Sequence, residues 1–270
     1  MTEMLTFGLI QQEDTEAMRA ALDAFVRYLG ESIGQEVTAR SLDGYEALSA
    51  AVEKRELSIA WLPPLVHIQA PPRSTIPIAS ARRGGDDSYE SVLVAAEGSS
   101  IEGGAKLAGL RAAWVDRWSA AGFVVPRLKL DAQGLDPRSL FRFETFAGSH
   151  TEVVKSVLDG RADVGGTFAR FAKDGTPKTG GWRRIVGAKV AIVERFGEVP
   201  SDVVCASADL DGPTITRIEQ ALVGAASAPG MRDNIHVVFG ADEFRTRVEG
   251  NYGDLRRAFE DARSRGLFAE

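Results

Sequence analysis

Hydroxyl, imidazole and backbone N–H groups that converge on one point can hold an oxyanion, and two stretches of this chain gather such groups. Residues 114–126 read WVDRWSAAGFVVP: a short apolar strand, a tight loop of small residues and the start of a helix. A corner of this kind places unpaired N–H groups and the positive end of a helix dipole together. That arrangement suits a phosphate, phosphonate or carboxylate. Ser119 would supply a hydroxyl, and Ala120, Ala121 and Gly122 backbone N–H groups. Ser119 reads equally well as a helix cap, whose geometry is nearly that of an anion ligand. Trp118, inside the loop, offers a face for a flat organic ligand. Gly148-Ser149-His150 forms a second corner ahead of a helix at 151–158. His150 reads either as a ligand group or as a helix-start residue that only satisfies backbone. Thr167, just after Asp163-Val164-Gly165-Gly166, stands at a strand end that would face the same crevice.

The flanking sequence must position these corners. Residues 5–10 read as a buried strand, and Asp14 or Thr15 can cap a helix in which Met18, Ala21, Leu22, Phe25, Val26, Leu29 and Ile33 recur at helical spacing. A strand at 36–40, a helix at 45–55 and a strand at 57–61 follow, an order that predicts a parallel sheet with helices on its faces. Pro63-Pro64 opens a short helix at 65–69, and Pro71-Pro72 closes it. Strands at 76–81 and 89–95 come next, the second a crossing into another lobe. There the pattern recurs: a strand at 111–115, a helix at 122–132, a short strand at 145–146, the helix at 151–158 and a strand from 163. Residues 173–181 read as a flexible hairpin-like loop, 185–193 as a strand, 203–206 as a crossing back, 215–225 as a helix and 252–263 as a terminal amphipathic helix. The expected division is 1–92 for the first lobe, 93–200 for the second and 201–270 for the return to the first. In open α/β sheets ligands bind at the carboxyl ends of strands, where both corners lie. Two lobes joined by two crossings would hold a ligand between them and close on a hinge.

Composition narrows the classes. At 270 residues and 44% hydrophobic, the chain can bury a large core. A net charge of −6 with scattered basic residues argues against nucleic-acid binding. Neither a long apolar run nor a basic amphipathic helix suggests membrane insertion. The one cysteine, Cys205, excludes an internal disulfide and reads as a small buried strand residue, with no local histidine pairing suggested. His67 and His236 show no partner pattern. No spacing suggests a metal site, and no nucleophile elbow, P-loop or dinucleotide fingerprint occurs, so no cofactor is expected. Met1 is followed almost at once by a strand, without the segments of a signal peptide. The chain is therefore expected to be cytoplasmic if Met1 is the true start. If a leader has been removed, it is expected to be periplasmic or lipid-anchored outside the cytoplasm.

In order and spacing, several stretches resemble the phosphate/phosphite/phosphonate substrate-binding proteins of ABC importers, of the type 2 periplasmic-binding-protein fold. They are FGLIQQED from Phe7, DGYEALSAAVEKRELSIAWLPPLVHIQA from Asp43, SYESVLVA from Ser88, VDRWSAAGFVVP from Val115, AGSHTEVVKSVLDGRADVGG from Ala147 and NYGDLRRA from Asn251. The resemblance implies an α/β fold of two lobes, each a mostly parallel sheet flanked by helices, with a two-segment hinge. It implies Tyr45 and Tyr89 as ligand-facing tyrosines reaching from the first lobe, Ser119 in a serine-rich anion loop, and Ser149 and His150 in the ligand-binding Gly-Ser-His element. It further implies a small anionic ligand, an ABC permease as partner and no catalysis. The loop departs from the family pattern at Ala120 and Ala121, where hydroxyl residues are usual. Each lost hydrogen bond to a charged ligand is worth about 1.5–3 kcal/mol, so losing two would weaken a phosphonate by roughly two to four orders of magnitude unless replaced. Arg117 and the N–H groups of Ala121 and Gly122 are the replacements in view. A second reading, a cytoplasmic enzyme or ligand sensor acting on a small organic acid, uses the same fold; against it, His150 stands alone as an acid–base group.

Overall fold

The computed structural model describes residues 4–11, 15–246 and 252–268; Asp14 and Asn251, named above, lie outside them. The chain divides into two compact units, Met1–Ser88 with Pro200–Tyr252, and Tyr89–Val199 with Gly253–Glu270.

The first unit starts with the expected strand–helix alternation: β1 (Leu5–Ile10), α1 (Glu16–Ile33), β2 (Val37–Leu42), α2 (Tyr45–Glu53) and β3 (Ile59–Leu62). β1 pairs in parallel with both β2 and β3. The Thr15 hydroxyl accepts from the Met18 N–H at 3.1 Å and so caps α1. The buried stripe of α1 is the one read from its spacing, Met18 to Ile33. α3 (Pro64–Gln69) starts at its proline, and β4 (Thr75–Arg82) follows. After the excursion through the second unit the chain returns with β11 (Val203–Ser207), α6 (Gly212–Ala225), α7 (Met231–Phe239) and β12 (Glu243–Thr246). β11 inserts antiparallel between β3 and β4, and β12 pairs antiparallel with β4. The sheet, ordered β12-β4-β11-β3-β1-β2, is thus mixed. α7 and β12 had no counterpart in the sequence reading, although Met231, Ile235 and Phe239 are buried at successive one-turn steps. Phe7, Phe25, Trp61, Phe239 and Phe244 form an aromatic nucleus, with Phe25 and Phe239 4.8 Å apart edge to face. Trp61 is therefore core.

The second unit comprises β5 (Ser88–Ala96), β6 (Arg111–Trp114), α4 (Val125–Ala132), β7 (Phe143–Phe146), α5 (His150–Leu158), β8 (Val164–Phe171), β9 (Pro177–Gly180), β10 (Val190–Pro200) and α8 (Tyr252–Ser264). β6 lies parallel between β7 and β8, while β5 and β9 run antiparallel to β8. The stretch read as a flexible hairpin-like loop forms a hairpin whose strand β9 pairs with β8, with Ala169 opposite Gly180. The strand expected at 185–193 starts later, at Val190, because turns closed by Arg183 N–H to Gly180 O and Ile185 N–H to Trp182 O occupy the segment before it.

The C-terminal helix departs from the expected division. Beyond Gly253 it belongs to the second unit, where the Arg265 guanidinium lies 2.8 Å from the Asp131 carboxylate and Phe268 bridges Phe123 and Phe259. Its apolar stripe was legible in the sequence; the surface that covers the stripe was not. The His67 and Cys205 readings change too. His67 Nδ1 sits 3.6 Å from the buried Cys205 Sγ, and its ring packs edge-on against Tyr252.

Candidate anion site on the second unit

The carboxyl end of β6 builds the first corner. The Asp116 carboxylate accepts from the Trp118 N–H at 2.8 Å, so Asp116 ties the loop. Ser119 then caps a single π-helical turn, Ala120–Val124, which leads into α4. Its Oγ accepts from the Gly122 N–H at 3.1 Å. That bond corrects one expectation: the Gly122 N–H serves the cap. The first N–H groups of such a turn, at Ala120 and Ala121, have no partner within it. Gly122 is required sterically, since a Cβ there would lie 2.4 Å from Val115 Cγ2 and 2.7 Å from Ser119 Oγ. Ser91 on β5 secures the turn by donating to the Ala121 carbonyl at 2.8 Å. Ser119, Ala120 and Ala121 are all buried; Trp118 is half-buried. Arg117 is exposed, with its guanidinium 5.0 Å from the centre of the Phe146 ring.

Beneath this corner lies a charged anchor. Glu144 on β7 accepts from Trp114 Nε1 at 2.5 Å and from Arg127 Nη2 at 2.9 and 3.0 Å. Arg127 also donates to the Pro137 carbonyl and covers the Phe123 ring. Burial pulls the Arg127 pKa below its ordinary value, and Glu144 opposes the shift. The anchor fixes β6, β7 and α4 in register beneath the loop.

The second corner is joined to the first by backbone bonds, Ala147 N–H to Trp114 O at 2.8 Å and Gly148 N–H to Val115 O at 2.9 Å. The Ser149 Oγ caps α5 by accepting from the Glu152 N–H at 3.2 Å, and His150 is the first residue of that helix. His150 Nδ1 lies 2.9 Å from the Oγ1 of Thr167, a fully buried residue of β8. Burial, and secondarily the charge of Arg183, push the His150 pKa down to about 3, so the imidazole is neutral at physiological pH. The ring meets Phe168 edge-on at 4.9 Å, and Phe168 meets Tyr89 at 5.9 Å. The Arg183 guanidinium stands 5.8 Å from the centre of the same Phe168 ring.

Ser119, Ala120, Ala121, Gly122, Ser149, His150 and Thr167 thus gather at the joined strand ends of the second unit. Tyr89 was expected on the first lobe; it lies in the second unit, linked to His150 through Phe168. Tyr45 opens α2 on the first unit and is half-buried. Sequence reasoning did not single out Phe168, Gly181 or Arg183. The available signal was the Gly180-Gly181-Trp182-Arg183-Arg184 run, where two small residues precede a basic pair.

Three comparisons bear on identity. The model of the family described as "ABC transporter, phosphonate, periplasmic substrate-binding protein" matches residues 7–249. The chain belongs to that family. A curated relative, the phosphate-import protein PhnD of Mycolicibacterium smegmatis, is 23% identical over 177 residues, 62% of this chain. The match spans 55% of that protein, about half its length. Among solved structures, PhnD1 of Prochlorococcus marinus in complex with methylphosphonate superposes with a TM-score of 0.78 at 19% identity, covering 96% of this chain and 98% of that one. A binding-protein component of an ABC phosphonate transporter from Pseudomonas aeruginosa gives 0.79 at 15% identity, covering 100% and 90%. At these identities the structural likeness speaks for the fold: two sheets flanked by helices, as in periplasmic binding proteins. The family is one of transport substrate-binding proteins, not enzymes. Among the described residues, no helix is long and apolar enough to cross a membrane, and no cluster of His, Cys, Asp and Glu could hold a metal ion.

Proposed function

We propose that this chain is the solute-binding protein of an ABC importer and that it holds a small oxyanion of the phosphonate or phosphate class at the paired corners of its second unit. The observation that carries the reading is His150: a neutral imidazole with one nitrogen beside a buried hydroxyl, on a loop bonded to the Ser119 corner. A neutral imidazole offers one donor and one acceptor. An anion needs the donor, so Nε2 carries the proton and Nδ1 accepts from the Thr167 hydroxyl. The Ser119 hydroxyl and the N–H groups of Ala120 and Ala121 complete the cradle, with Ser149 beside them. Tyr45, Tyr89 and Trp118 enter as further ligand contacts, on the strength of the family resemblance for the tyrosines and of loop position for Trp118. The ligand chemistries named for the relatives, phosphate and methylphosphonate, are the first to test. A permease is the expected partner, and the place of work lies outside the cytoplasmic membrane.

The enzyme reading loses ground at the same residue, because the partner of His150 Nδ1 is a hydroxyl and not a carboxylate. Titration calorimetry with phosphate, phosphite, methylphosphonate and 2-aminoethylphosphonate tests the proposal. Saturable binding to at least one of them is expected, and His150→Ala should weaken it about tenfold or more, the worth of one hydrogen bond to a charged ligand. No heat with any of the four would refute the ligand class, and unchanged affinity in the variant would remove His150 from the site.

A further inference from the structure

We infer that Arg183, carried on the β9–β10 connection, supplies the positive charge that meets the bound oxyanion beside His150. The inference rests on the anion-binding reading above and specifies it. Its geometric basis is the way this segment is pinned to the site. The Gly181 N–H donates to the Phe168 carbonyl at 3.1 Å. A Cβ on Gly181 would lie 2.1 Å from Thr167 Oγ1 and 3.2 Å from the His150 carbonyl oxygen, so only glycine lets the turn lie this close. Two residues on, the Arg183 N–H donates to Gly180 O at 3.0 Å, and the exposed guanidinium comes within 5.8 Å of the centre of the Phe168 ring, whose edge contact with His150 is 4.9 Å. Arg183 is close enough to oppose protonation of His150.

A cradle with alanines at 120 and 121 has few side-chain donors, and its imidazole is uncharged. An anion held only by dipoles in such a place would lack a counter-charge. A guanidinium supplies one and can present two parallel N–H donors to an oxyanion. It also pre-empts the charge that His150 would otherwise gain on binding. The loop thus lacks hydroxyls at 120 and 121, and the turn packed on Thr167 and His150 carries a guanidinium two residues on.

The test is calorimetric titration of wild type, Arg183→Gln and Arg183→Lys with methylphosphonate and inorganic phosphate, at low and at physiological ionic strength, with melting curves as a fold control. Arg183→Gln should bind about tenfold or more weakly, the scale of one charge-assisted contact. Arg183→Lys should recover part of that loss. The wild-type affinity should fall with salt, and that dependence should flatten in Arg183→Gln. Binding by Arg183→Gln within about twofold of wild type overturns the inference while leaving the anion-binding reading intact. If Arg183→Gln fails to fold, the salt series decides: a wild-type affinity indifferent to ionic strength overturns the inference. Failure of wild type to bind either anion overturns the functional reading and this inference with it.

Discussion

Replacing Thr167 by valine isolates the tautomer argument. The side chain keeps its branched shape but loses the hydroxyl that lies 2.9 Å from His150 Nδ1. Thr167 is fully buried in β8, so no water replaces that hydroxyl without rearrangement. A hydrogen bond of this kind contributes about 0.5–1.5 kcal/mol net, and stranding its partner costs about 1–3 kcal/mol. For a protein of this size each lost kcal/mol lowers the melting temperature by roughly 2–4 °C. The effect on binding is separate. On the proposed tautomer Thr167 is the donor to Nδ1, so without it His150 is no longer held with its proton on Nε2, and the ligand loses a fixed donor. The expected loss of affinity is about tenfold to a hundredfold, corresponding to about 1.5–3 kcal/mol. Thr167→Ser, which keeps the hydroxyl, should restore most of it. Calorimetry with methylphosphonate gives the affinity, and the nitrogen NMR shifts of the His150 ring report the tautomer. A valine variant that binds as tightly as wild type with an unchanged ring spectrum would refute the reasoning.

The depressed His150 pKa of about 3 also sets a pH dependence. Between that value and an unfolded pKa near 6.5 the unfolded chain binds the extra proton, so this residue's contribution to stability is complete above about pH 6.5 and is lost as pH falls toward 3. Urea midpoints should decline over that window with a slope of up to about 1.4 kcal/mol per pH unit from this group, and His150→Asn should remove that component; identical pH profiles would contradict it. Glu144→Ala should cost about 3 kcal/mol, because it leaves the buried Arg127 without its carboxylate and Trp114 Nε1 without its acceptor; a melting temperature within a degree of wild type would show that the anchor contributes little.

Much of the fold was legible from one-dimensional signals. The stripe of α1, the helix at α2 and the strand–helix alternation depend on residues three or four apart, and local spacing reports them faithfully. α7 carried such a stripe as well, in Met231, Ile235 and Phe239, and was passed over. The corners at Ser119 and Ser149-His150 were legible for the same reason, since caps and tight turns are set by adjacent residues. The β9 hairpin was less so, because its Pro, Lys and Gly residues have weak strand preference and the strand is held by pairing with β8.

The sequence by itself therefore determined most of the strand–helix order, both strand–loop–helix corners, the family resemblance and the anomaly at Ala120 and Ala121. The tertiary structure decided who stands beside whom. It took the C-terminal helix to the second unit, where Phe259, Phe268 and Arg265 find their partners. It set Tyr89 with His150 through Phe168 and His67 against Cys205. It spent the Gly122 N–H on the Ser119 cap and brought Arg183 over the Phe168 ring, just after a turn that only Gly181 lets lie against Thr167. The reason is physical. Periodicity and capping are fixed by neighbours within a few residues, whereas packing, burial and charge depend on surfaces supplied by distant parts of the chain, and no local pattern records which surface that will be.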